Sequence, residues 1–312
     1  MESFIAAVNV VLPMALLMLI GVFIRKNNII DRQSAKSYDK VIFKIFMPAL
    51  LFKNIYELNL NFGDYIKPII FIACGLAVLF SLAVFLIPKI IKDGKKAAVV
   101  GQAMIRPNFL LYGIAVGEAL YGKGNVGTVA VLGAFIVPAI NILAAIILEI
   151  PRAGKANLKE LFKAVLKNPM IIGAVLGFAC MLLPFRITGI AWEVIKDVAG
   201  VTTTVSFISL GIGLDLNSAK SNSFPLTFGV IARMLISPLI FLPLAVIAGF
   251  KAQVLATLMV VFGGPTAVAS YPMAVAMDAD GSLAAQLVCT TTIISILTIF
   301  AMTFIFKSLG LL

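Results

Sequence analysis

Arg106, Pro107 and Asn108 set a guanidinium, an imino acid and an amide side by side in the run MIRPNFLLYG, whose other members are mostly apolar. Proline has no backbone donor and clashes with the preceding turn, so a helix through this run breaks at Pro107. In an apolar surrounding the freed amides and carbonyls have to be met by protein, water or a ligand. The positive end of the half-helix that restarts, next to a guanidinium, is chemistry for an anion. A second run, FGGPTAVASYP, brings Gly263, Gly264 and Pro265 together, with Pro272 seven residues on. Singly, each has a plainer reading: a proline kink repaired by its neighbours, or glycines that let helices pack closely. Two breaks at corresponding positions instead predict a binding site built from both. Asn108 is either the cap of the restarted half-helix or a substrate contact that can donate and accept.

These residues belong to a chain of 312 residues that is 61% hydrophobic and 12% charged, with a mean hydropathy of +1.09. That is more apolar surface than a soluble domain can bury. Runs of about 20 residues are long enough to cross about 30 Å of hydrocarbon as helices. Ten spans are expected, at 4–24, 38–56, 66–88, 96–118, 126–149, 168–184, 190–214, 224–249, 252–277 and 282–306. The first shows no small-residue cleavage site and ends in Arg25-Lys26, so it reads as a retained helix. Arg106 lies ten residues past Lys96. That is about 15 Å along a helix, or half the hydrocarbon, which puts the break at the bilayer midplane.

The net charge of +11 is an orientation signal rather than a nucleic-acid footprint. With the amino terminus outside, fifteen lysines and arginines fall in inside loops and seven in outside loops or the carboxyl end. This favours a multi-pass cell-membrane protein with both termini outside. There is no histidine, and Cys74, Cys180 and Cys289 all lie within spans, which leaves no zinc or other metal constellation and no disulfide framework. No nucleotide-binding glycine loop opens a helix, and no nucleophile and base stand together. Neither an enzyme nor a cofactor is expected.

Three cations remain inside hydrocarbon-length runs: Lys44, Arg106 and Arg233. Buried ionisable groups face a cavity or a partner, and Glu118, Glu149, Asp215 and Asp278 all fall near span ends. Cations without a matching carboxylate predict an anionic cargo. Arg106 and Arg233 have as their alternative the pairing of free carbonyls, and Lys44, about six residues into its span, can snorkel to the inner interface. With no histidine and no central carboxylate, a buried proton relay is not expected; anion charge and membrane potential, or a proton carried on the substrate, drive transport instead. Thr202-Thr203-Thr204 and Thr290-Thr291-Thr292 serve either as interhelical hydrogen-bonding groups or as hydroxyls for a cation or substrate.

Positions recur at a nearly constant offset. Pro13-Met14 and Gly21 match Pro169-Met170 and Gly177 at 156; Glu57-Leu58-Asn59 and Pro107 match Asp215-Leu216-Asn217 and Pro265 at 158; Ala119 and Gly124 match Ala276 and Gly281 at 157. The chain therefore divides into a first five-helix repeat over 1–150, a connector over 151–167 and a second repeat over 168–312. Five is odd, so the second repeat is inverted, as in secondary transporters. The fold class is all-α, ten transmembrane helices in two inverted repeats, with helices 4 and 9 broken at proline and crossed.

VLPMALLMLIGVFIRKNNIID, KIFMPALLF, RPNFLLYGIAVGEALYG and GGPTAVASYPMAVAMDAD, ahead of a Thr-rich last span, resemble the auxin efflux carrier family. That family includes the plant PIN exporters and bacterial malate and malonate permease-like members. The resemblance covers essentially the whole chain. It implies helices 1, 2, 6 and 7 as scaffold, the others as a moving transport domain, an elevator motion and a homodimer formed through the scaffold. It also implies Pro107, Asn108 and Pro265 as crossover positions. The chain departs from the family in lacking the long cytosolic loop of the larger plant exporters. It also has Ala115 where related motifs often have proline after Gly113-Ile114. The expected function is secondary transport of a small organic anion, with a substrate site of Arg106, Pro107, Asn108, Gly263, Gly264, Pro265, Arg233 and Lys44. A sodium-coupled carrier of the bile-acid symporter type and a membrane receptor that binds an anion without moving it are the alternatives.

Overall fold

Helices begin where the sequence supplies a cap. The computed structural model describes residues 2–57, 63–122, 127–153, 166–183, 186–214 and 222–312, and these are helical with short connections. Asp31 accepts from the Ser34 amide ahead of Arg32–Val41, and Asp93 from the Lys95 and Lys96 amides ahead of Gly94–Ile105. Asn168 accepts from the Met170 amide ahead of Pro169–Met181, and Asp280 from the Leu283 amide ahead of Gly281–Ser308. Each side chain satisfies first-turn amides that no helical carbonyl reaches. At Asp31, in the connection between the first and second segments, the Ser34 amide also holds the carboxyl below the usual carboxylate range.

In chain order the helical segments are the first, Glu2–Lys26; the second, 32–56; the third, Ile66–Ile90; and the fourth, in two halves, Gly94–Ile105 and Phe109–Tyr121. The fifth is Gly127–Ala153, the sixth Pro169–Met181, the seventh Gly189–Gly213 and the eighth Ser223–Ile247. The ninth has two parts, Ala252–Gly263 and Ser270–Ala276, and the tenth is Gly281–Ser308. The third, fifth, seventh, eighth and tenth are long and apolar enough to cross a bilayer. Leu16, Phe23, Ile66, Phe85, Ile190, Leu239, Ile247, Leu297 and Phe304 are exposed on the exterior. Such a surface suits lipid and would be a liability in water. The protein is an all-helical, multi-pass membrane protein.

The second segment departs from expectation: it starts at 32 rather than 38, because the Asp31 cap carries the helix through a charged first stretch. It also contains a π-turn, Ile42–Phe46, as the third does at Leu82–Leu86 and the eighth at Ala232–Ile236. All three stand two residues ahead of a proline, Pro48, Pro88 and Pro238. The residue just before each proline donates five residues back: Met47 to Ile42, Ile87 to Leu82 and Ser237 to Ala232. Proline withholds a donor from the ladder and crowds the preceding turn, and the helix answers by widening one turn.

Glycines set how closely the segments approach. A Cβ on Gly21 would lie 2.0 Å from the Ile208 carbonyl oxygen, and one on Gly211 2.0 Å from that of Met18, so the first and seventh segments touch backbone to backbone. A Cβ on Gly173 would lie 2.7 Å from the Pro48 carbonyl oxygen, so the sixth segment also packs closely on the second. Gly211→Val places two methyl groups where only a hydrogen fits. We expect a loss of about 1–3 kcal/mol or more from overpacking, measured as a lower melting temperature in detergent. Gly200→Ala, where nothing lies within 4 Å, should leave the melt unchanged.

Candidate functional site

The breaks in the fourth and ninth segments lie against each other. Pro107 and Thr266 form an antiparallel bridge. The Asn108 amide donates to the Pro265 carbonyl at 2.8 Å, and the Ala267 amide to the Arg106 carbonyl at 2.9 Å. The Thr266 amide donates to Thr291 Oγ1 at 3.1 Å, so the tenth segment's threonine run satisfies one group freed by the break. Two stretches that cannot continue as helix thus close most of each other's backbone deficit, as burial demands.

Arg233 supplies donors that the two breaks withhold. Its side chain is fully buried. Nη2 donates to the Val261 carbonyl at 2.8 Å, Nη1 to Met104 at 2.8 Å and Nε to Gly264 at 2.7 Å. In an uninterrupted helix Val261 would be served by residue 265, which is proline. Met104 would be served by Asn108, whose amide is turned to Pro265. One planar guanidinium therefore closes the last carbonyls of Gly94–Ile105 and Ala252–Gly263 together, with its positive charge at the negative ends of both half-helices. The structure places Arg233 on the backbone of the crossover, outside the lining of the cavity at Arg106: of the two sequence readings, it takes the pairing of free carbonyls.

Arg106 and Asn108 face a cavity. It has a volume of about 100 Å³, room for several waters or a small carboxylate, one water needing about 10–15 Å³ on this measure. Arg106 to Leu111 line one side, Ala267 to Ala269 another, and Asn54, Asn141 and Thr203 add polar groups from the second, fifth and seventh segments. Arg106 Nη2 donates to Asn141 Oδ1, and Nη1 lies 3.3 Å from Met273 Sδ. Among the described residues no carboxylate pairs with it. Asn108 occupies the cap position of Phe109–Tyr121 but its side chain makes no capping bond, and Asn108 Nδ2 and Asn54 Nδ2 are buried without partners. The arrangement is one cation, two unengaged amide donors and an uncapped positive helix end around a small space.

The other expected residues sit elsewhere. Pro107 lines the cavity, while Pro265 contributes through its carbonyl. Gly263 packs against Met302 and Pro238, and a Cβ on Gly264 would meet the Val260 carbonyl at 2.5 Å, so both are close-approach glycines outside the cavity. Lys44 is exposed and lines a separate, wider cavity of about 940 Å³ with Glu149, Lys167 and Asn168, residues at or beside the ends of the connector. Asn54 and Asn141 went unnoticed in the sequence, whereas Thr203 belongs to the run Thr202-Thr203-Thr204, read there as interhelical groups or as hydroxyls for a cation or substrate. The only signal for Asn141 is an amide inside the apolar run FIVPAINILAAI, where it must find a partner. Asp39 was also missed: it is a buried carboxylate on the second segment, 1% exposed. Of the repeat matches, Leu58-Asn59, Asp215-Leu216-Asn217 and Gly124 lie outside the described residues.

A family model described as membrane transport protein matches residues 6–303. An uncharacterized transporter of Methanocaldococcus jannaschii is 25% identical over 306 residues, covering 93% of this chain and 96% of that protein. An uncharacterized transporter of Methanothermobacter thermautotrophicus is 21% identical over 302 residues, covering 95% and 97%. The uncharacterized transporter YfdV of Escherichia coli is 23% identical over 244 residues, covering 74% and 76%.

Proposed function

We propose, because the chain belongs to the membrane transport protein family whose auxin efflux carrier type its motifs resemble, that it is a secondary transporter of small organic anions. Carboxylates, auxin-like or dicarboxylate, are the cargo class. The observation that carries this reading is the small cavity at the paired breaks, where Arg106, Asn108 and the start of Phe109–Tyr121 present positive charge and free donors. A carboxylate there accepts from the guanidinium and from the amides, which is anion binding at a helix start reinforced by a fixed cation.

The transport cycle is alternating access of elevator type, with the site at the bilayer midplane. The third, fourth, fifth, eighth, ninth and tenth segments move against a scaffold of the first, second, sixth and seventh, which also forms a homodimer. Both termini lie outside. The recurrence of element bounds supports two inverted repeats: Ile66–Ile90 and Ser223–Ile247 start and end 157 residues apart, and Gly94–Ile105 and Ala252–Gly263 start and end 158 apart. The glycine contacts support it too, since Gly21 meets the seventh segment as its sequence match Gly177 meets the second.

A second reading, sodium-coupled symport of the bile-acid carrier type, has one observation in its favour. Side-chain oxygens of Gln102, Thr266, Ser270 and Thr292 are buried without hydrogen-bond partners, and hard cations take oxygen ligands. The test is flux in reconstituted vesicles over a panel of mono- and dicarboxylates with imposed voltage. Saturable, voltage-dependent uptake of at least one carboxylate is expected. Uptake that requires a sodium gradient selects the second reading, binding without flux points to a receptor, and neither binding nor flux overturns the proposal.

A further inference from the structure

Asp39 lies where three segments meet. It is buried on the second, accepts a hydrogen bond from Ser209 Oγ of the seventh, and faces the Tyr271 hydroxyl of the ninth. The Tyr271 ring is seated against the seventh segment at Gly213, where a Cβ would stand 1.7 Å from the Tyr271 hydroxyl oxygen. Glycine is thus required for the tyrosine to reach the carboxylate. The titratable and charged groups around Asp39 are few: Tyr38 on its own helix, where Lys36 and Lys40 are exposed, Tyr271, and Arg25 of the first segment, which acts on Tyr271 and whose Nη1 donates to the Ile212 and Leu214 carbonyls. Neither facing helix, Thr202–Gly213 or Ser270–Ala276, carries a charged residue.

Hydroxyls are unusual partners for a buried carboxylate that is meant to stay charged, because backbone amides or a cation would hold the anion better. They are suitable partners for a carboxyl that gains and loses a proton. A hydroxyl donates to the carboxylate and, after rotation, accepts from the acid, so both protonation states are satisfied. The ninth segment sits on the other side of the proposed sliding surface from the first, second and seventh. Movement then separates Tyr271 from Asp39. The separation strips a charged carboxylate of a donor inside the protein but costs a neutral carboxyl far less.

We propose that Asp39 is a proton-controlled latch on this transporter, deepening the proposed elevator reading on which it rests. The charged carboxylate holds Tyr271 and keeps the moving segments docked. A proton from water, bound at one Asp39 oxygen to form an O–H bond, releases them, and its return to water on the side it came from docks them again.

The test uses the full chain in detergent and in vesicles. In infrared difference spectra taken across a pH titration, the wild type is expected to show a protonated carboxyl band that Asp39→Asn lacks. In vesicles with equal pH on both sides, lowering that pH is expected to speed wild-type carboxylate exchange about tenfold or more, the scale of one hydrogen bond to a charged group. Asp39→Asn should lose that response and exchange at the faster rate throughout. A pH response that survives Asp39→Asn, or the same infrared spectra for both proteins, overturns the proposal. If Asp39→Asn fails to fold, Tyr271→Phe decides: it should shift the frequency of the carboxyl band, and an unshifted band overturns the proposal. If the wild type moves no anion at all, the transport reading falls, while the infrared band still decides whether Asp39 holds the proton.

Discussion

Arg233→Met is expected to leave little protein that runs as a single folded species in detergent. The side chain closes three carbonyls at two helix ends, and nothing nearby can replace it, because residues 107 and 265 are prolines and the Asn108 amide is already used. Each buried carbonyl left open costs about 1–3 kcal/mol, so the three together exceed the usual effect of one substitution. Methionine removes the cost of burying a cation, an offset that makes some buried charges dispensable. Here the offset is incomplete, since the carbonyls cannot reach water once the charge is gone. Arg233→Lys keeps the charge but not the planar spread of donors, and should melt between the two. Size-exclusion profiles and thermal melts of the three proteins check this. A methionine variant as stable as the wild type would remove Arg233 from its place as the donor that closes the crossover.

The second large effect is on the cargo. Arg106→Ala should weaken carboxylate binding by about tenfold to a hundredfold, the value of a hydrogen bond to a charged group, about 1.5–3 kcal/mol. Stability should change less than for Arg233, because the Arg106 side chain meets one amide oxygen and one thioether and closes no backbone group. Ile105→Val is the control, a change one residue away in the same buried half-helix that leaves the charge in place. Isothermal titration of the purified proteins with the transported carboxylate measures both. Equal affinities for Arg106→Ala and Ile105→Val would exclude a substrate role for the guanidinium.

These two arginines show what a sequence discloses and what it withholds. That helices would break at Pro107 and Pro265 was legible because proline acts on its own turn, whatever surrounds it. Hydropathy places span starts at 96, 168 and 282, within two residues of the helix starts at Gly94, Pro169 and Gly281, without reading the caps that set them. Arg233 was visible as a buried cation, but its partners are 28, 31 and 129 residues away, and no local pattern ties a guanidinium to carbonyls so distant. Asn54 and Asn141 escaped because an amide in an apolar helix has no spacing rule to betray which way it faces. Asp39 escaped for another reason: hydropathy begins the second span at 38, while the Asp31 cap begins the helix at 32. A carboxylate that looked like the edge of a span is well inside a helix.

The widened turns ahead of Pro48, Pro88 and Pro238 bear on how such a chain can change over evolutionary time. A π-turn holds one residue more than the α-helix needs, so it is a place where a single-codon deletion can heal into regular helix. In the second segment that edit would rotate everything beyond it by about 100°, one residue's worth of helical phase. It would carry Asn54 off the cavity while Asp39, upstream, stayed where it is. One deletion could thus reshape what the cavity recognises and leave the junction at Asp39 untouched, so that selectivity and the control of movement can drift apart as separate traits.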